Sequence, residues 1–105
     1  MKRGEVWWAT LAGAAGRRPV VLLSRDESYP VRDLVMIAMV TSRVRGIRAE
    51  LKLGLADGLP HACVANLDTI TTVPKNALKE LIGTLRQERI REMDDLLHFA
   101  LGLVH

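Results

Sequence analysis

One change of hydrophobic period constrains this chain more than any other feature. Up to about residue 73 the apolar residues come in short runs broken by glycine, proline and aspartate, whereas from residue 87 they recur every three or four positions. Runs of the first kind suit pleated strands joined by turns, and the second period lays an apolar stripe along a helix. The pattern predicts a mainly β chain with one C-terminal helix.

Residues 5–11 read as a strand rich in Val and Trp, and residues 19–24 as a second, with Gly13 and Gly16 punctuating the connection. Residues 34–41 are continuously apolar, which suits a strand buried on both faces. Residues 48–53 alternate, and Gly54, Asp57, Gly58 and Pro60 mark a turn after them. Two further strands follow at residues 61–66 and 69–73. In the terminal segment Ile90, Met93, Leu97, Ala100, Leu101 and Val104 form the stripe of an amphipathic helix. Thr84 and Gln87 have the spacing of a capping box, with Arg86 as the alternative boundary. Leu96, Phe99 and Leu103 add apolar surface, which fits either a subunit interface or a wide core-facing stripe.

Composition narrows the class. The chain has 105 residues, 49% of them apolar and 26% charged, as expected of one globular unit rather than a disordered one. Its longest apolar run is too short to span a bilayer, and Lys2 and Arg3 meet Glu5 with no apolar stretch behind them, so a cytoplasmic location is expected. Residues 1–75 hold eleven basic side chains against seven acidic ones, while residues 76–105 hold four against five. The basic excess belongs to the β part. Cys63, a lone cysteine, reads as a small buried hydrophobe, and His61, His98 and His105 have no ligand-like spacing and read as structural or surface residues. No metal or other cofactor is expected.

Three segments then occur in a telling order: Arg3-Gly4-Glu5-Val6-Trp7-Trp8, Arg17-Arg18-Pro19-Val20-Val21-Leu22-Leu23-Ser24, and Val40-Thr41-Ser42 at the end of the apolar run. The ordered set resembles the MazF/PemK family of toxin ribonucleases. Residues 65–73 and 82–85, with the final helix, extend the resemblance over nearly the whole chain. It implies a small, strongly twisted SH3-like β-barrel of the MazF/PemK/CcdB type, with residues 1–105 as one toxin domain. It further implies a homodimer, sequence-specific cleavage of single-stranded RNA, and inhibition by a cognate antitoxin of the MazE type or a similar partner.

In such an enzyme the RNA 2′-hydroxyl attacks the neighbouring phosphate, leaving a cyclic phosphate and a 5′-hydroxyl. The protein aligns the attack, stabilises charge on the phosphoryl oxygens and moves protons. The resemblance makes Arg18 and Thr41 the catalytic pair. A guanidinium offers permanently charged, paired donors to phosphate oxygens, and Pro19 holds Arg18 in extended backbone. Because a guanidinium stays protonated at neutral pH, Arg18 suits stabilisation of the phosphorane, or proton donation to the leaving oxygen, and the base is left unassigned. Thr41 offers a hydroxyl donor. Arg17 and Ser42, beside the pair, and Arg43, Arg45 and Arg48 after it are the expected RNA-binding residues, with Lys52 and the hinge at Gly46 in the same basic stretch; a solvated loop is the competing reading of that stretch. Trp7 and Trp8 point to opposite faces of a strand, so one belongs to the core and the other is free to stack on a base or an antitoxin side chain.

Two departures from the family pattern stand out. The loop Ala12-Gly13-Ala14-Ala15-Gly16-Arg17 is short and lacks the glutamate often found there, and Thr71 stands where many members carry an arginine. Two other readings use the same residues: a barrel that binds nucleic acid without cutting it, and a CcdB-like toxin that poisons DNA gyrase. The Arg18 and Thr41 pair argues against the second.

Overall fold

The computed structural model describes residues 1–103; Val104 of the helical stripe and His105 lie outside the described residues. Six strands, β1 (Glu5–Thr10), β2 (Arg17–Leu22), β3 (Leu34–Thr41), β4 (Glu50–Leu53), β5 (Cys63–Pro74) and β6 (Leu78–Thr84), make one antiparallel sheet. Their order is β4-β5-β3-β2-β1-β6, so the central strands β3 and β2 are flanked on both sides. The sheet curls into a half-barrel, and α1 (Gln87–Ala100) packs against β4 and β5.

Two apolar clusters follow from the pleat. On β3, Ala38 and Val40 join Val6, Val21, Leu51 and Met93 in one cluster, while Val35 and Ile37 join Val20, Leu22 and Tyr29 in the other. Alternate residues of the same strand thus enter opposite cores, which explains its unbroken apolar run. Met93 of α1 is fully buried in the first cluster, with Ile90, Leu96 and Leu97 packed beside it. Phe99, Leu101 and Leu103 stay exposed. Among the described residues no helix is long and apolar enough to cross a membrane.

The structure differs from the sequence reading at four places. Strand β2 begins at Arg17, so both arginines lie on the strand itself, paired with Thr10 and Ala9 of β1. The two strands expected at 61–66 and 69–73 are one, β5. Its ladder with β3 jumps from Val40↔Ala65 to Ala38↔Ile70, leaving residues 66–69 opposite Met39 alone. The strand survives this bulge because Leu67 is buried and its N–H donates to the Ala49 carbonyl at 3.0 Å, while the Asp68 N–H donates to Asn66 Oδ1 at 2.9 Å. Strand β6 had no period-2 signal, and its two register shifts against β1 break the alternation that would have marked it. Thr84 therefore ends a strand instead of opening a capping box, and Arg86 occupies the N-cap without a side-chain bond.

Candidate active site

The site grows from the pairing of β2 with β3. Their register runs Leu22↔Ile37, Val21↔Ala38, Val20↔Met39, and Arg18 and Thr41 each lie two residues beyond the last pair, Arg18 paired instead with Ala9 of β1 and Thr41 with Val64 of β5. Beyond Val20↔Met39 the ladder ends, and two adjoining depressions both touch Arg18 and Thr41. The first, about 300 Å³, is bounded by Trp8, Arg17, Ser42, Pro60 and His61. The second, about 230 Å³, is bounded by Arg43, Arg45, Glu50, Asn66 and Thr69.

Local chemistry aims the central pair. Gly13–Ala15 form a short 3-10 turn, and Gly16 leaves it at φ +58° and ψ −145°, backbone that a side chain strains to adopt. This turn presents the Ala15 carbonyl to Arg18, whose Nε donates to it at 3.1 Å. With Nε held, the two terminal guanidinium nitrogens remain as a fork. Arg18 has no carboxylate partner among the described ion pairs. Thr41 Oγ1 accepts the Arg43 N–H at 3.1 Å, which occupies an oxygen lone pair and leaves the hydroxyl proton to be donated elsewhere. Both side chains are half-buried.

The surrounding basic residues divide. Arg17 stacks over the Trp8 ring at 4.7 Å, with Glu80 Oε2 at 3.8 Å in a solvent-exposed pair. Trp8 is thus the tryptophan at the site, whereas Trp7 packs on the second core cluster and donates from Nε1 to Glu5 at 3.0 Å. Arg43 and Arg45 line the second depression, on a loop held by Glu50. That carboxylate accepts the N–H groups of Arg45, Gly46 and Ile47 at 3.0, 2.9 and 3.2 Å, and the bond from Arg45 does most to hold its pKa below the usual carboxylate range. Arg48 goes elsewhere: its guanidinium lies over the Phe99 ring of α1 at 4.1 Å. It is the one expected RNA-binding residue that the fold does not gather around Arg18 and Thr41.

Sequence reasoning passed over two residues that border the site. Glu50 looked like the polar position of an alternating strand, and only its spacing behind Arg45, Gly46 and Ile47 hints that it ties down a loop. His61 looked isolated. The fold brings it to the same depression as Arg18 and Thr41 across some forty and twenty residues of sequence, a meeting no local spacing encodes. Cys63 is buried as expected, and burial pushes its thiol pKa up, with the Asp57 charge adding to the effect.

A curled antiparallel sheet whose strand ends present an arginine fork and a threonine hydroxyl in an open, basic groove is the architecture of a small toxin barrel. Residues 2–101 match the family model described as the PemK-like, MazF-like toxin of type II toxin-antitoxin systems, and the chain belongs to that family. It is 37% identical over 99 residues to a probable endoribonuclease MazF5 of Mycobacterium tuberculosis, an alignment covering 93% of this chain and 90% of the relative. It is likewise 37% identical over 107 residues to a probable endoribonuclease MazF2 of the same species, covering 97% and 99%. Among solved structures, the Mycobacterium tuberculosis toxin MazF-mt6 superimposes with a TM-score of 0.88 at 27% identity, over 96% of this chain and 99% of that one. A mycobacterial endoribonuclease in complex with its cognate antitoxin also superimposes with a TM-score of 0.88, at 26% identity over 100% and 98%.

Proposed function

We propose that this chain is the toxin of a type II toxin-antitoxin pair and that it cleaves single-stranded RNA without a metal, by attack of the 2′-hydroxyl on the adjacent phosphate. The observation that carries this reading is that Arg18 and Thr41, both just past the end of the β2–β3 ladder, line the same two depressions. A phosphate seated there meets the guanidinium fork on one side and the threonine hydroxyl on the other. Both donors stabilise the charge that builds on the non-bridging oxygens in the transition state. The depressions on either side then take the nucleotides flanking the scissile bond, with Trp8 as a stacking face in one and Arg43 and Arg45 as phosphate contacts in the other. Curated relatives named endoribonucleases support turnover over binding alone.

The chain works in the cytoplasm, where its substrate is, and as a homodimer whose second subunit covers part of the apolar surface left exposed; light scattering at micromolar concentration checks the dimer. A MazE-like antitoxin with acidic and apolar residues suits the basic groove, because its carboxylates take the place of RNA phosphates. The direct test incubates purified protein with a long transcript in excess chelator and maps the ends. Cyclic phosphate and 5′-hydroxyl ends are expected. Ends bearing a 5′-phosphate, or loss of cutting on chelation, would overturn the mechanism.

A further inference from the structure

The reaction needs a group that takes the proton of the 2′-hydroxyl, and neither Arg18 nor Thr41 suits that task at neutral pH. We propose that His61 is that general base, an inference that rests on the cleavage reading above. His61, an exposed residue on the connection between β4 and β5, borders the same depression as Arg18 and Thr41.

Three observations carry the assignment. The first is position: His61 lies two residues from a buried anchor on each side, Leu59 and Cys63. The connection that bears it is itself packed, because Gly58 lies against the Ile82 carbonyl of β6 and Gly83 lies against the Asp57 carbonyl with no room for a side chain. The second is the tautomer. His61 Nδ1 stands 3.1 Å from the Ala62 carbonyl oxygen, which only accepts, so a hydrogen bond there favours the tautomer with the hydrogen on Nδ1 and the neutral ring's lone pair on Nε2.

The third is elimination among the charged and titratable groups around it. Arg17 and Arg18 on β2, and Arg43 and Arg45 beyond Thr41, are cations without a lone pair to offer. Glu50 is engaged by three backbone N–H groups that favour its ionised, weakly basic form. Asp57, on the same connection as His61, accepts the Gly54 N–H at 3.0 Å. Cys63 is buried and its thiol is held protonated. Among the described groups at this groove the neutral imidazole is the one that offers a nitrogen lone pair to a hydroxyl proton.

The step balances without another reactant. Nε2 takes the proton from the 2′-hydroxyl as O2′ bonds to phosphorus; the P–O5′ bond breaks and its electron pair stays on O5′, which takes a proton from solvent water. The imidazolium then returns its proton to solvent, and the enzyme is regenerated with a 2′,3′-cyclic phosphate on one fragment.

The test uses the wild-type protein first to locate a cleavage site in a long transcript, then a short RNA oligonucleotide containing that site. Single-turnover rates are measured across pH for wild type, His61→Gln and His61→Ala, with binding measured on the 2′-deoxy version of the oligonucleotide. His61→Gln is expected to lower the rate by about 10²–10⁴-fold with binding unchanged, and to abolish the bend on the acid limb of the wild-type profile. Added imidazole is expected to restore part of the His61→Ala rate. A His61→Gln rate within about threefold of wild type, or a bend that persists in it, would overturn His61 as the base while cyclic-phosphate ends left the cleavage reading intact. Wild-type ends bearing 5′-phosphate would instead remove the reading on which the assignment rests.

Discussion

Replacing Arg18 with lysine separates charge from geometry at the centre of the site. Arginine at this position spends Nε on the Ala15 carbonyl at 3.1 Å and keeps two terminal nitrogens for a phosphate. Lysine has one nitrogen for both partners. If it keeps the phosphate it abandons Ala15, and in either case the second donor to the phosphoryl oxygens is gone. Loss of one such transition-state donor costs about 2.7–4 kcal/mol, or roughly 10²–10³ in kcat. The ground state suffers less, because the positive charge remains and the phosphate is still neutralised. Affinity for a 2′-deoxy oligonucleotide should therefore change by under about fivefold, with the slope of log affinity against log salt unaltered. Arg18→Ala, in contrast, should lower that slope by about 0.7, the value for one phosphate contact to a single strand. Single-turnover cleavage and salt-dependent binding, measured on the same oligonucleotide, read both quantities. A lysine variant within about threefold of wild-type turnover would refute the fork, and a lysine variant with the reduced salt slope would refute the separation of charge from geometry.

Other outcomes follow from neighbouring features. Thr41→Val keeps the β-branched shape at the end of β3 but removes the hydroxyl, so turnover should fall by about 10–10²-fold while thermal stability changes by less than about 1 kcal/mol; equal turnover would exclude a donor role. Gly83→Ala would place a Cβ 2.7 Å from the Asp57 carbonyl oxygen, a backbone atom, so the connection bearing His61 must shift. A stability loss of about 1–3 kcal/mol is expected on denaturant unfolding, with a drop in turnover; an unaffected variant would show that this packing does not position the site. Tyr29, the sole tyrosine, is buried, and burial together with the Asp26 charge raises its pKa to about 12. Because the folded pKa lies above the unfolded one, its contribution to stability is present below about pH 10 and lost as pH rises toward 12. Phenolate absorbance, which reports this residue alone, should rise only near pH 12 in the folded protein, and titration near the ordinary value would contradict the burial.

What was legible in the chain follows the kind of information each element carries. The limits of β3 could be read to the residue, because a run buried on both faces has a sharp polar end at Thr41 and Ser42. The helix was legible from its period, and Met93 at the centre of the stripe is its fully buried residue. Strand β6 was not, since two register shifts destroy the alternation on which a strand is recognised. The single strand β5 was divided in reading because the bulge at residues 66–69 carries turn-forming Asn66 and Asp68, while the buried Leu67 that keeps the strand running is satisfied by a distant partner, Ala49. At the site, Arg18 and Thr41 were reached through family resemblance. Their meeting at the same two depressions is a property of the folded sheet that neither segment states alone. Arg48 failed to join them because a cation–π contact to Phe99 draws it to the helix. The place of His61 beside the groove was not legible because its neighbours there are remote in sequence, and the anchoring of its loop against Ile82 and Gly83 appears only in three dimensions.

The central claim is that the RNA supplies its own nucleophile, and one substitution in the substrate tests it most directly. Two oligonucleotides of the mapped sequence are compared, identical except that one carries a single 2′-deoxynucleotide immediately 5′ to the scissile phosphate. Removing one hydroxyl leaves every phosphate in place, so binding through Arg18 and the basic loop should persist. Cutting at that bond should stop altogether, while the all-ribose strand yields a cyclic phosphate and a 5′-hydroxyl. Continued cleavage at the deoxy-substituted position would mean that water or a protein group attacks the phosphate, and would contradict the account.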